Sequence, residues 1–165
     1  MDLNGNLYLV GFMGAGKSTV GRVLAKRLER EFLDTDRLIE EDEGKSISII
    51  FDTKGEAFFR EREEKVIKRI AGTSEFVVAL GGGATMRENN RKRLASSGVT
   101  VYLAWPPEQL LERIVNGRRR PLVSSLPHSS RRHRLMELFE SREAFYKCAD
   151  FVVNCSNDKT VHQVV

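Results

Sequence analysis

Two cysteines, four prolines and one tryptophan are few for 165 residues, and each scarcity narrows the reading. Cys148 and Cys155 lie seven apart, with no histidine or second cysteine pair at metal-ligand spacing. That points to reduced core thiols in a cytosolic protein and away from a disulfide scaffold or a zinc site. No apolar run approaches the roughly 20 residues of a membrane helix, and MDLNGNLYLV has neither a basic leader region nor a cleavage site. The expectation is a cytoplasmic protein with no membrane contact. A surplus of one charge is missing too: 27 Lys and Arg against 23 Asp and Glu leave +4, which suits an anionic ligand as well as a nucleic acid. What remains is an ordinary globular composition, 41% apolar and 30% charged, at a length that fits one domain over residues 1–165.

Short apolar runs alternate with charged stretches of helical period. LYLV (7–10), EFL (31–33), FVVAL (76–80), VTVYLAW (99–105) and DFVVN (150–154) read as buried strands. Helices are predicted over Ser18–Arg30, Gly55–Ala71, Arg87–Ser97, Pro107–Asn116 and Ser130–Cys148, with a short start of one in Lys159–Val165. Such alternation implies βαβ units, hence an α/β fold with a parallel sheet covered on both faces. Ligands in these folds bind beyond the carboxyl ends of the strands, so the functional residues should follow the apolar runs.

After the first run comes GFMGAGKS (11–18), the GxxxxGK[ST] phosphate loop, placed between a strand and a helix. Its glycines turn backbone N–H groups toward an anion and the helix N-terminus adds its dipole. Lys17 can reach the β- and γ-phosphates, and the Ser18 hydroxyl can ligate Mg²⁺. The nucleotide contacts expected here are Gly14, Ala15, Gly16, Lys17, Ser18 and Thr19. Asp52 to Gly55 fits the DxxG of a GTPase, but no Asn-Lys-x-Asp guanine reader exists in the chain and no convincing strand precedes it.

Three further features address an acceptor. Asp34-Thr35-Asp36 follows the second run: one carboxylate could hold Mg²⁺ through water while the other binds an acceptor hydroxyl and draws its proton. Taken alone, the same tripeptide reads more simply as an Asx-type helix cap. In GEAFFR (55–60), Arg60 lies off a core stripe of Phe59, Val66, Ile67 and Ile70, and by itself reads as a solvated i+3 or i+4 partner of Glu63 or Glu64. Gly81, Gly82 and Gly83 put bare backbone after a buried strand, either a flexible turn or a surface that meets a hydroxyl or carboxylate closely.

In this order and at these intervals GFMGAGKST, LDTD, GEAFFR, LGGGA, RPL and a late Arg142 with Tyr146 four on resemble the shikimate kinase family over nearly the whole chain. The resemblance implies a five-stranded parallel sheet of the P-loop, nucleoside monophosphate kinase type, a three-layer sandwich with a mobile lid around 117–130. It implies transfer of the γ-phosphoryl of ATP to the 3-hydroxyl of shikimate, toward chorismate and the aromatic amino acids. Carried over by residue, Lys17 and Ser18 serve phosphate and Mg²⁺, and Asp34 helps hold the metal. Asp36 binds the shikimate hydroxyls and assists deprotonation. Arg60 and Arg142 grip the carboxylate, with Gly81, Gly82 and Gly83 against the ring. Arg120 of RPL becomes a lid residue on the transferring phosphates, and Arg113 packs against adenine. The chain departs in having RPLV where RPLL is common, and Ala144 where proline is often found. Neither change touches a charged group.

The partners expected are therefore shikimate and ATP, for a monomer. The basic stretch from Arg118 to Arg134 contains no aromatic residue on which bases could stack, which argues against a nucleic-acid partner. The alternatives are a P-loop gluconate or nucleotide kinase, or a nucleotide-gated nucleic-acid-binding module using that stretch.

Overall fold

The structure, a computed structural model, describes residues 5–116 and 128–165. Five parallel strands, β1 (Asn6–Val10), β2 (Glu31–Asp34), β3 (Phe76–Ala79), β4 (Gly98–Ala104) and β5 (Phe151–Asn154), form one sheet in the order β2-β3-β1-β4-β5. The central strand β1 is buried along its whole length, which is why it reads as an unbroken apolar run and not an alternating one. Helices α1 (Lys17–Arg27), α2 (Thr35–Glu43), α3 (Ile47–Ala71), α4 (Glu88–Ser97), α5 (Pro107–Asn116), α6 (His128–Tyr146) and α7 (Val161–Val164) make the connections, with a 3₁₀ turn over Ala84–Met86. Among the described residues, no helix is long and apolar enough to cross a membrane.

All five strands read from the sequence are present, with ends shifted by one residue. Two helical stretches were not read. Helix α2 is opened by the Asp34 side chain, which accepts from the Asp36 and Arg37 backbone N–H groups, and closed by Gly44 in the left-handed region at φ 63°. The Asx-type cap reading of Asp34 is therefore correct as far as it goes. Helix α3 begins eight residues before the expected start, but Gly55 interrupts it at φ 78° and ψ 173°. The sequence boundary at Gly55 marks a real break between two helical pieces. Both cysteines are free; Cys155 is buried, whereas Cys148 is exposed and is not the core thiol expected of it. The expected lid, Arg120 included, falls largely on residues 117–127, outside the described residues.

Register decides where the loops emerge. Asp34 pairs with Ala79, and Ala79 with Leu9, so β2, β3 and β1 end level with one another. The chain leaves β1 across β3 toward β2, but leaves β3 across β1 toward β4. Outgoing connections thus diverge between β1 and β3, which opens a crevice at their carboxyl ends. The opposite end is tightly closed. A Cβ on Gly98 would stand 2.0 Å from the Asn6 carbonyl oxygen, and the buried Asn6 side chain binds the Ile70 and Thr73 carbonyls and the Phe76 N–H. Gly98→Ala is expected to destabilise the fold by about 1–3 kcal/mol through overpacking. Denaturant unfolding should register that loss, while substrate KM values stay at the wild-type level.

Candidate active site

The nucleotide loop leaves β1 and enters α1 through Gly16, whose φ of 86° only glycine adopts without strain. Lys17, Ser18 and Thr19 form the first turn of α1. The Lys17 ammonium lies back over its own loop, donating to the Gly11 carbonyl at 2.8 Å and the Phe12 carbonyl at 3.0 Å. The Ser18 hydroxyl donates to Asp34 Oδ2 at 2.6 Å. Asp34 is thus both the cap of α2 and the link from β2 to the phosphate loop. These two oxygen groups are a hard-ligand pair of the kind Mg²⁺ accepts, since that ion keeps several waters and takes its other ligands from phosphate.

Thr35 joins the acidic tripeptide to the glycine turn. Fully buried, its Oγ1 accepts from the Gly81 N–H at 2.9 Å and donates to the Ala79 carbonyl at 3.4 Å. This role was not read from the sequence, because the partners come from another strand. Asp36 follows, and its Oδ1 is buried with no hydrogen-bond partner. Burial raises its pKa first, then the charge of Asp34, with Lys17 pulling the other way; the carboxyl is pushed up to about 6.

Arg60 does pair with Glu63, at 2.8 Å, and with Glu56 at 3.1 Å. The contact with Glu63 is not the solvated one expected: the Glu63 side chain is 0% exposed, and its Oε1 lacks a partner. Burial lifts its pKa, and the Arg60 guanidinium opposes that rise. Glu63 sits on the core stripe between Phe59 and Ile67, and a lone carboxylate on an apolar stripe is the signal that could have revealed it.

The three glycines pass between these groups. A Cβ on Gly81 would stand 2.7 Å from Asp36 Oδ1 and 2.8 Å from Glu63 Oε1, so the two unpartnered oxygens converge on one bare Cα. On Gly83 a Cβ would stand 2.4 Å from Arg60 Nη1, and on Gly82 it would meet the Met13 N at 3.4 Å. A side chain at Gly81 would have to displace two buried carboxylates and one at Gly83 the Arg60 guanidinium, and the turn abuts the phosphate loop. From α6, Arg142 Nη1 donates to the Gly82 carbonyl at 3.3 Å, and the buried Tyr146 hydroxyl donates to the same oxygen. Residues far apart in sequence are thereby gathered at the β1–β3 crevice: Lys17, Ser18, Asp34, Asp36, Arg60, Gly81 to Gly83 and Arg142. Arg113 is held elsewhere, with its guanidinium 4.2 Å over the Trp105 ring.

A family model described as shikimate kinase matches residues 13–165. The chain belongs to the shikimate kinase family. The shikimate kinase of Thiobacillus denitrificans is 45% identical over 155 residues, 93% of this chain and 83% of that protein. The solved structure of the shikimate kinase from Acinetobacter baumannii in complex with shikimate superposes with a TM-score of 0.85 at 38% identity, covering 96% of this chain and 87% of that one. A gluconokinase from Sinorhizobium meliloti has a TM-score of 0.62 at 18% identity, a likeness of fold alone. As a shikimate kinase family member the chain is an ATP-dependent kinase acting on a small-molecule alcohol.

Proposed function

We propose that the chain transfers the γ-phosphoryl of ATP to the 3-hydroxyl of shikimate, with Asp36 drawing the hydroxyl proton and Arg60 and Arg142 binding the carboxylate. The observation that carries this reading is the convergence on Gly81 of two buried carboxylate oxygens, Asp36 Oδ1 and Glu63 Oε1, beside the phosphate loop. A buried, unpartnered acceptor costs free energy unless a ligand completes it, and an acceptor hydroxyl is the complement of Asp36 Oδ1.

As the hydroxyl oxygen bonds to the γ-phosphorus, the bond from that phosphorus to the β–γ bridging oxygen breaks and the hydroxyl proton passes to Asp36. With its pKa pushed up to about 6, Asp36 is mostly ionised at pH 7 yet basic enough to hold that proton. Lys17 meets the charge that grows on the phosphates, while Gly14, Ala15, Gly16 and Thr19 line the loop around them. Ser18 and Asp34 would hold Mg²⁺, which when bound neutralises phosphate charge. For Arg120, outside the described residues, contact with the transferring phosphates rests on the family motif, as does the packing of Arg113 against adenine.

A coupled ADP-release assay offering shikimate, gluconate and nucleoside monophosphates tests the reading. Turnover with shikimate alone is expected; preference for gluconate would overturn it. The arginines can be tested separately. Arg142→Ala removes a charge-assisted contact worth about 1.5–3 kcal/mol, so shikimate affinity should fall roughly 10- to 150-fold with ATP affinity near wild type. Arg60→Ala also strands the buried Glu63 carboxylate and should cost several kcal/mol of stability, about 3–5 for a typical buried pair. Arg60→Lys retains a cation for Glu63 but loses the two-pronged fork, and should weaken shikimate without unfolding the chain. Calorimetric titration of shikimate and of a non-hydrolysable ATP analogue separates these effects. Loss of nucleotide with shikimate binding intact would mean the arginines serve the other ligand.

A further inference from the structure

Trp105 follows β4 directly and is the chain's single tryptophan. Its indole is 9% exposed, and its Nε1–H donates to the Ala15 carbonyl at 3.0 Å, inside the phosphate loop. Arg113, one helix later on α5, lies with its guanidinium 4.2 Å over the face of the same ring, and the residue is otherwise exposed. We propose that Trp105 is a positioning residue for the nucleotide, setting the phosphate loop through its N–H and the adenine-side arginine through its ring.

A buried indole needs an acceptor somewhere, so the bond alone would be unremarkable. Which carbonyl it takes is the point. In a trans peptide the carbonyl and the following N–H face opposite ways, and the described residues contain no cis bond. Fixing the Ala15 carbonyl toward Trp105 therefore turns the Gly16 N–H away from it, at the N-terminus of α1, where a phosphate loop presents its donors. Ala15 cannot rotate its peptide without breaking that buried bond. On the ring side, a cation stacked on an indole loses mobility before any ligand arrives. Arg113 is otherwise exposed among the described residues, and a guanidinium held over one ring can stack on a second flat ring such as adenine, the contact the proposed function gives it. The two ends of a nucleotide are thus referred to one rigid side chain.

This inference rests on reading residues 11–18 as the nucleotide site, and the test keeps the two apart. Trp105→Phe keeps a ring beneath Arg113 but loses the N–H; it should weaken both ADP and tripolyphosphate by about 3- to 10-fold, with shikimate affinity unchanged. Trp105→Leu loses the ring as well, and should weaken ADP several-fold further while tripolyphosphate, which has no adenine, follows the Phe variant. A purely structural role would lower the melting temperature of both variants and leave ligand affinities at the wild-type value. That result overturns the proposal, as does equal ADP affinity in the Leu and Phe variants. Wild-type chain that fails to bind ADP at all would bring down the phosphate-loop reading and this inference together. Should the variants not fold, the wild-type indole serves: tripolyphosphate is expected to shift its emission, and a silent indole at saturating tripolyphosphate overturns the proposal.

Discussion

Lys17→Ala is expected to remove turnover while the chain stays folded. The ammonium donates to the Gly11 and Phe12 carbonyls of its own loop, in hydrogen bonds that are only partly buried. The stability cost should be about 1–2 kcal/mol. On the proposed mechanism Lys17 faces charge that increases toward the transition state, where one well-aimed donor is typically worth about 10²–10³-fold in kcat. Substitution should reduce kcat by at least that factor, since a full positive charge is lost. ADP release at saturating shikimate, read beside a circular dichroism melt, checks both halves. Wild-type-like turnover in the purified variant would remove the phosphate loop from the mechanism.

Asp36→Asn should reduce kcat about 10²–10⁴-fold and leave ATP binding little changed. The amide keeps the shape and one acceptor oxygen, but it cannot take the proton that the attacking hydroxyl must release. In the wild type, burial and the charge of Asp34 push the Asp36 carboxyl up to about 6 against the opposing pull of Lys17. Its ionised form is lost as the pH falls through 6, so kcat/KM should decline on the acid side with an apparent pKa near that value. The residual activity of Asp36→Asn should lack this limb. A fall in kcat of less than about tenfold would reduce Asp36 to a binding residue.

The phosphate loop could be read outright because its glycine spacing, lysine and serine are contiguous, and the strand and helix around them were visible as hydrophobic patterns. The acidic and glycine stretches were legible as residues but ambiguous in role. Asp34 is the helix cap that a simple reading makes of it, and at the same time the partner of Ser18. Arg60 makes the intrahelical ion pair that a simple reading predicts, and still lies against Gly83. Local sequence could not choose, since in each case the local bond and the tertiary contact coexist. What escaped was set by tertiary neighbours: the burial of Glu63, the Thr35 bridge to Gly81, and Trp105 beneath Arg113. Helix α2 escaped for a different reason. Its apolar content is small and its caps, Asp34 and Gly44, are the clearest signs of it.

The burial of Asp36 that the proposed mechanism draws on also opposes folding. A carboxyl whose pKa is higher in the folded chain than in the unfolded one binds its proton more tightly when folded. Its contribution to stability is therefore complete below the ordinary carboxylate value of 3.8 and is lost as the pH rises through about 6. On the order of 3 kcal/mol is given up across that window. Thermal melts from pH 4 to 7 should show the wild type losing ground to Asp36→Asn as the pH rises, with the inactive variant the more heat-resistant at pH 7. Equal slopes would mean that Asp36 titrates alike in both states. The chain is then a member of the class of enzymes that work best where they are least robust, and a screen for thermostable variants run without an activity requirement would select Asp36 away.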